Sequence, residues 1–148
     1  MPDRCPECGA PQLEDRTCQE DFHTLLGWET EYAGYGDVHH LTVLSYHLQH
    51  PSLYSAEGLT FAKGLLVDFL EKGKSPQDVR RESKGKVNSG KRSWKIRGKP
   101  GSHGSYDHPV EWTMTAADVA RAEHFRFIES VRTWAESILR ALRGSNNL

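Results

Sequence analysis

The sequence predicts an all-α fold: a small helical bundle of three to four main helices, with an N-terminal zinc-knuckle-like segment and a long basic loop before the last helix. Three observations carry this reading. Apolar residues recur at three- and four-residue steps over several stretches, and no strand-like alternation of comparable strength appears. Most of these stretches open on a capping residue and close on Gly or Pro. Three cysteines, two of them in Cys-x-x-Cys, crowd into the first 18 residues. At 148 residues, the chain is expected to be a single domain. It divides into a knuckle (1–17), three helices (18–73), a basic loop (74–114) and a long C-terminal helix (115–143).

The first helix is signalled by Thr17 at the N-cap with Glu20 three residues on, a capping-box pattern. Phe22, Leu25 and Leu26 follow at helical spacing, and the run ends near Ala33, before Gly34 and Gly36. Asp37 is placed to cap a second helix over about 38–50, carrying Leu41, Val43, Leu44 and Leu48 and stopped by Pro51. Ser55 caps a third, over about 56–71, with Leu59, Ala62, Leu65, Leu66, Phe69 and Leu70 as its buried stripe. Ser75-Pro76 opens a short helical turn, since proline suits the first helical position. From about 83 to 109 no period survives and Gly, Ser, Lys and Pro dominate, the composition of a long loop. Thr115 with Asp118 makes a second capping signal. It introduces one long helix over about 116–142, with Val119, Ala122, Phe125, Ile128, Val131, Trp134, Ile138 and Leu142 on its buried face and Gly144 at its end. Trp28, Trp112 and Trp134 read as core or staple aromatics.

Cys5-Pro6-Glu7-Cys8-Gly9-Ala10 has the form of a zinc knuckle, whose tight turn faces two thiolates toward one ion. Cys18 sits in the first turn of the first helix, where the backbone favours a thiolate. An odd count of cysteines argues against a disulfide framework, and a redox pair lacks its usual strand–helix setting. Three thiolates leave a tetrahedral zinc site one ligand short, and histidine is the expected fourth. A short Gly-containing turn makes the first two helices antiparallel, which returns the end of the second beside Cys18. The expected metal ligands are therefore Cys5, Cys8, Cys18 and His50, with His47 and His23 as alternatives. His39 lies 11 residues before His50, about 16 Å along a helix, so one ion cannot use both.

The near-neutral net charge of −1 is an average: residues 1–73 hold 12 acidic and 4 basic side chains, residues 74–148 hold 8 acidic and 15 basic. Most of the positive charge lies in 74–99. Arg80, Arg81, Lys84, Lys86, Lys91, Arg92, Lys95 and Arg97 are the expected contacts if this stretch meets a nucleic acid or another polyanion. A solvated basic loop attracted to the protein's own acidic face is the simpler reading. Gly98, Gly101 and Gly104 do not form a phosphate loop, because they neither follow a strand nor open a helix.

The opening Cys-Pro-Glu-Cys-Gly-Ala, Cys18 ahead of Leu25-Leu26, and Val38-His39-His40-Leu41-Thr42-Val43 leading to Tyr46 and Gln49-His50-Pro51 resemble a bacterial family, domain of unknown function number 5946. Val131 to Ser137 is similar to that family's closing helix. The resemblance is thin across 73–112, where the family has a shorter segment bearing proline and tryptophan. It implies roles for Cys5, Cys8, Cys18, His39 and His50, gives none to His23 or His47, and brings no activity with it.

The function expected is that of a zinc-binding helical protein whose metal is mainly structural, a binding or interaction module. A protein partner or a polyanion at the basic loop is the expected contact. A metal-dependent enzyme with a cleft between His39 and His124 is the alternative, and nucleic-acid binding through 80–99 a second. No stretch approaches the roughly 20 apolar residues of a membrane span, and Met1 to Cys8 lack the apolar core of a secretory signal. A cytoplasmic location is therefore expected.

Overall fold

A computed structural model of the chain describes residues 4–12, 17–83 and 104–148. Its regular structure there is helical, apart from one isolated bridge pairing Arg4 with Pro11. The chain forms two compact units, one from Met1–His50 with Asp107–Leu148, the other from Pro51–Tyr106. Among the described residues no helix is long and apolar enough to cross a membrane.

The first unit begins with α1 (Cys18–Glu31). The Thr17 hydroxyl accepts from the Glu20 backbone N–H at 3.2 Å, satisfying one of the donors a helix start leaves open. Gly34, at φ +86°, turns the chain after α1, a conformation that costs a residue with a side chain and costs glycine nothing. A single 3-10 turn (Tyr35–Val38) then leads into α2 (His39–Leu48). The second helix is thus shorter than its apolar pattern suggests, because Asp37 lies inside the 3-10 turn. It is also buried nearly all round: Leu41, Thr42, Leu44, Ser45, Tyr46 and Leu48 are all inside. A helix enclosed on several sides is the central element of its unit.

The long C-terminal helix expected from the sequence is in fact two. α5 (Ala116–Arg121) starts with the capping box foreseen, Thr115 with Asp118. Ala122 and Glu123 are then extended, a 3-10 turn (His124–Arg126) follows, and α6 runs over Phe127–Gly144. No glycine or proline marks the break. Its cause is packing: α5 lies on α1, whereas α6 lies on α2 and the 3-10 turn before it. The break leaves Val119 and Phe127 both buried, each at 1% exposure. It also moves the buried aromatic from Phe125, which is 66% exposed, to Phe127. From there Val131, Trp134, Ile138 and Leu142 follow the expected stripe, each fully buried.

Gln49 locks these layers together. Its side-chain N–H₂ donates to the Met114 carbonyl at 2.7 Å, and its Oε1 accepts from the Trp134 indole at 3.2 Å. One buried amide therefore satisfies the polar edge of the largest core aromatic and a carbonyl ahead of α5.

The second unit holds α3 (Ala56–Leu70) and α4 (Pro76–Ser83). Ser55 caps α3 through the Gly58 N–H at 3.0 Å, and Leu59, Ala62 and Leu66 are buried as expected. Ser75 and Asp78 cap α4 reciprocally, so the proline-led turn is a full helix of eight residues.

Replacing Phe127 by Ala should destabilise the protein by about 3–5 kcal/mol, the cost of emptying a closed aromatic site. Phe125→Ala should cost about 0.5 kcal/mol or less. Urea denaturation of the two variants measures both; equal losses would contradict the broken-helix register.

Candidate metal centre

The knuckle is a tight backbone hairpin. The Cys5 N–H donates to the Ala10 carbonyl at 2.8 Å and the Gly9 N–H to the Cys5 carbonyl at 2.9 Å. The turn needs φ +79° at the residue after Cys8, and glycine stands there. The Ala10 N–H reaches the Cys8 sulfur at 3.4 Å, a donor of the kind that supports a metal-bound sulfur. Trp112 packs against the knuckle and donates its indole N–H to the Glu7 carbonyl at 3.0 Å, the staple role its sequence suggests.

The first turn of α1 brings Cys18 to the knuckle, its N–H held by Gln12 Oε1 at 3.0 Å. Two residues beyond α2, His50 arrives from the other side. Cys5, Cys8, Cys18 and His50 are all buried, and their ligand atoms lie within 4.8 Å of one another. His50 Nε2 is 3.4 Å from Cys18 Sγ and 3.6 Å from Cys5 Sγ. A tetrahedral ion with sulfur at about 2.3 Å and nitrogen at about 2.0 Å sets these atoms about 3.5 Å apart. The donor set and its spacing thus fit a four-coordinate metal, and the three cysteines are free of disulfides.

The tautomer of His50 is fixed from behind. Its Nδ1 lies 2.6 Å from the Tyr46 carbonyl, which can only accept, so Nδ1 carries a proton and Nε2 faces the sulfurs. The ring stacks on Tyr46 at 4.2 Å, and Tyr46 stacks on Phe22 at 4.1 Å. A column of three rings therefore holds the imidazole in place.

A hydrogen bond from Cys8, opposed by burial and helped by the bond to His50, draws the Cys18 thiol down to about 4. The same Cys8–Cys18 bond, with burial, pushes Cys8 far above the ordinary thiol range. Burial alone would lower His50, but its bonds to Cys18 and to the Tyr46 carbonyl raise it to about 9. Proton and metal thus compete for Nε2 alone, because Nδ1–H is committed to the carbonyl.

The match to known families agrees with this arrangement. Residues 3–143 match the family described as a family of unknown function, DUF5946. The chain belongs to that family. No curated protein and no solved structure matches it. The family match spans the knuckle, Cys18 and the His39-to-Pro51 run on which the resemblance rested.

The other histidines named from the sequence lie elsewhere. His47 bonds back to the Val43 carbonyl at 2.8 Å, and His23 is exposed beside Phe22. Neither belongs to the ligand cluster. His39 Nδ1 pairs with Glu29 Oε2 at 2.8 Å, while His124 stacks on Tyr32 at 4.7 Å. Of the basic residues, Arg81 is exposed, 3.9 Å from Asp78, and Arg80 is in α4. Lys84, Lys86, Lys91, Arg92, Lys95 and Arg97 lie outside the described residues. Sequence reasoning missed Gln12, Gln49 and Glu29. Nothing in the sequence marks Gln12 or Glu29, whereas Gln49 stood within the quoted Gln-His-Pro run.

Ligand thiols must be deprotonated to hold a metal, so binding and proton release are linked. Cys18 is depressed in the folded protein, so its anion favours folding above the ordinary thiol value. That contribution falls as pH drops and is lost through about 4. Metal should therefore stay bound at neutral pH and be released on acidification, as protons displace it from the ligand sulfurs and from His50 Nε2. A chromogenic chelator reads the release, and full release already at neutral pH would contradict the geometry.

Proposed function

We propose that this protein is a zinc-stapled helical module whose metal is structural. The observation that carries this reading is the composition and burial of the ligand set: three cysteines and one histidine, all enclosed. Three sulfurs and one imidazole nitrogen favour zinc among the common divalent ions. Four protein ligands fill a tetrahedral shell and leave no position for a water or a substrate, the mark of a structural rather than a catalytic zinc.

The site also stands where a staple has most effect. It ties a knuckle at residues 5–8 to the start of α1 and the residue two beyond α2, closing a loop of 45 residues between Cys5 and His50. Structural zinc of this type contributes on the order of 10 kcal/mol of folding free energy. A chain with mean hydropathy −0.67 and 26% charged residues gains from such a term, because its apolar core is modest. The function itself then belongs to the surfaces that the zinc holds in place, as in a binding or interaction module.

Metal analysis of the purified protein should find about one zinc per chain. Cys18→Ala should lose it and melt well below the wild type. Protein free of stoichiometric metal, together with an unchanged melting temperature for Cys18→Ala, would overturn the reading.

A further inference from the structure

The turn between α5 and α6 sets Phe125 out in solvent, where it is 66% exposed, the most exposed large apolar side chain among the described residues. The Arg126 guanidinium lies 5.9 Å from its ring centre. Beside the ring an open groove of about 690 Å³ runs along α6, lined by Ile128, Glu129, Arg132, Thr133 and Glu136. Ile128 is half-buried and the other four are exposed. These residues share one face of the helix, a stripe about 16 Å long from Phe125 to Glu136. Exposed aromatic and arginine side chains are the types that protein interfaces favour.

The charges on this face alternate: positive at Arg126, negative at Glu129, positive at Arg132, negative at Glu136. Arg126 stands 3.8 Å from Glu123. Glu129, Arg132 and Glu136 enter no ion pair among the described residues. A partner of uniform charge, acidic or basic, would be repelled by half of these groups.

The stripe is complementary to itself in one direction. When two copies are laid antiparallel, with a two-fold axis between Ser130 and Val131, Glu129 of each copy faces Arg132 of the other. Ile128 then faces Thr133, and Arg126 comes within one position of Glu136. Phe125 of each copy reaches the Glu136 end of the other's groove. Every contact occurs twice, as in an isologous interface. Laid parallel and in register, each charge would meet its own sign.

We propose that this face of α6 is the interface of an antiparallel homodimer, its partner being a second copy of this chain. The proposal supplies a partner for the interaction module described above, and rests on that reading in placing the function in a surface. Glu129–Arg132 pairs flank the two-fold axis, and Phe125 closes each end. Charge pairs at an open rim are screened by salt, so the dimer should weaken as ionic strength rises.

Sedimentation velocity on the full chain, from micromolar to millimolar concentration and at low and high salt, tests this. Zinc content and helicity are measured on the same samples. The wild type should form a dimer at low salt. Glu129→Arg sets like charges across the axis and should raise the dissociation constant at least about tenfold, and Arg132→Glu should do the same. Carrying both substitutions, the chain again presents opposite charges and should recover the dimer. Each variant changes only exposed side chains, so helicity should hold. A wild type that stays monomeric throughout would overturn the proposal. So would a dimer that is indifferent to the single substitutions, or one that the double substitution does not recover. Zinc content decides the zinc reading on its own, so the two can fail separately.

Discussion

The bond from His50 Nδ1 to the Tyr46 carbonyl is the constraint on which the rest of the metal centre depends. It is an ordinary backward contact, one helical turn long. Its consequence is that Nε2, rather than Nδ1, faces three sulfurs that come from two other parts of the chain. The orientation of one ring thereby sets where α2 must end relative to the knuckle and to α1. Phe22 and Tyr46, stacked behind the ring, make that orientation part of the apolar core. Metal ligation and core packing are thus the same event in this unit, because the residues that fix the ligand also fill the space between α1 and α2.

Gln49 extends this coupling to the opposite side of α2. His50 looks toward the cysteines while its neighbour bonds to Trp134 and to the Met114 carbonyl. Two successive side chains at the end of one helix therefore join the metal centre to the C-terminal helix. Both are polar and buried, and each is held by hydrogen bonds or aimed at a ligand, the way buried polarity specifies a unique arrangement.

Much of this was legible in the sequence, and the reasons are specific. Cys5, Cys8 and Cys18 announce themselves through spacing and thiol chemistry, and His50 follows from the antiparallel return of α2, a deduction that needs only the Gly34 turn and the length of the helix. Capping residues placed the starts of α1, α3 and α5 correctly because a cap is a local bond between neighbours in the chain. What stayed hidden was set by distant packing. Nothing between Arg121 and His124 forbids helix, so the break there, and the exchange of Phe125 for Phe127 in the core, follow from α5 and α6 facing different helices. Glu29 and Gln12 were invisible for a similar reason: a carboxylate on a polar helix, or an amide in a turn, gains its role only from the partner that the fold delivers.

The interruption at Ala122 and Glu123 has a bearing on how this chain can vary. In a continuous helix, adding or removing one residue rotates everything downstream by about 100° and carries the apolar stripe off its partner. Here the two extended residues uncouple the registers of α5 and α6, each held by its own neighbour. The linker can absorb a change in length without either helix turning in its seat. The segment that looked from its periodicity like one continuous rod is two helices whose registers are set by different neighbours.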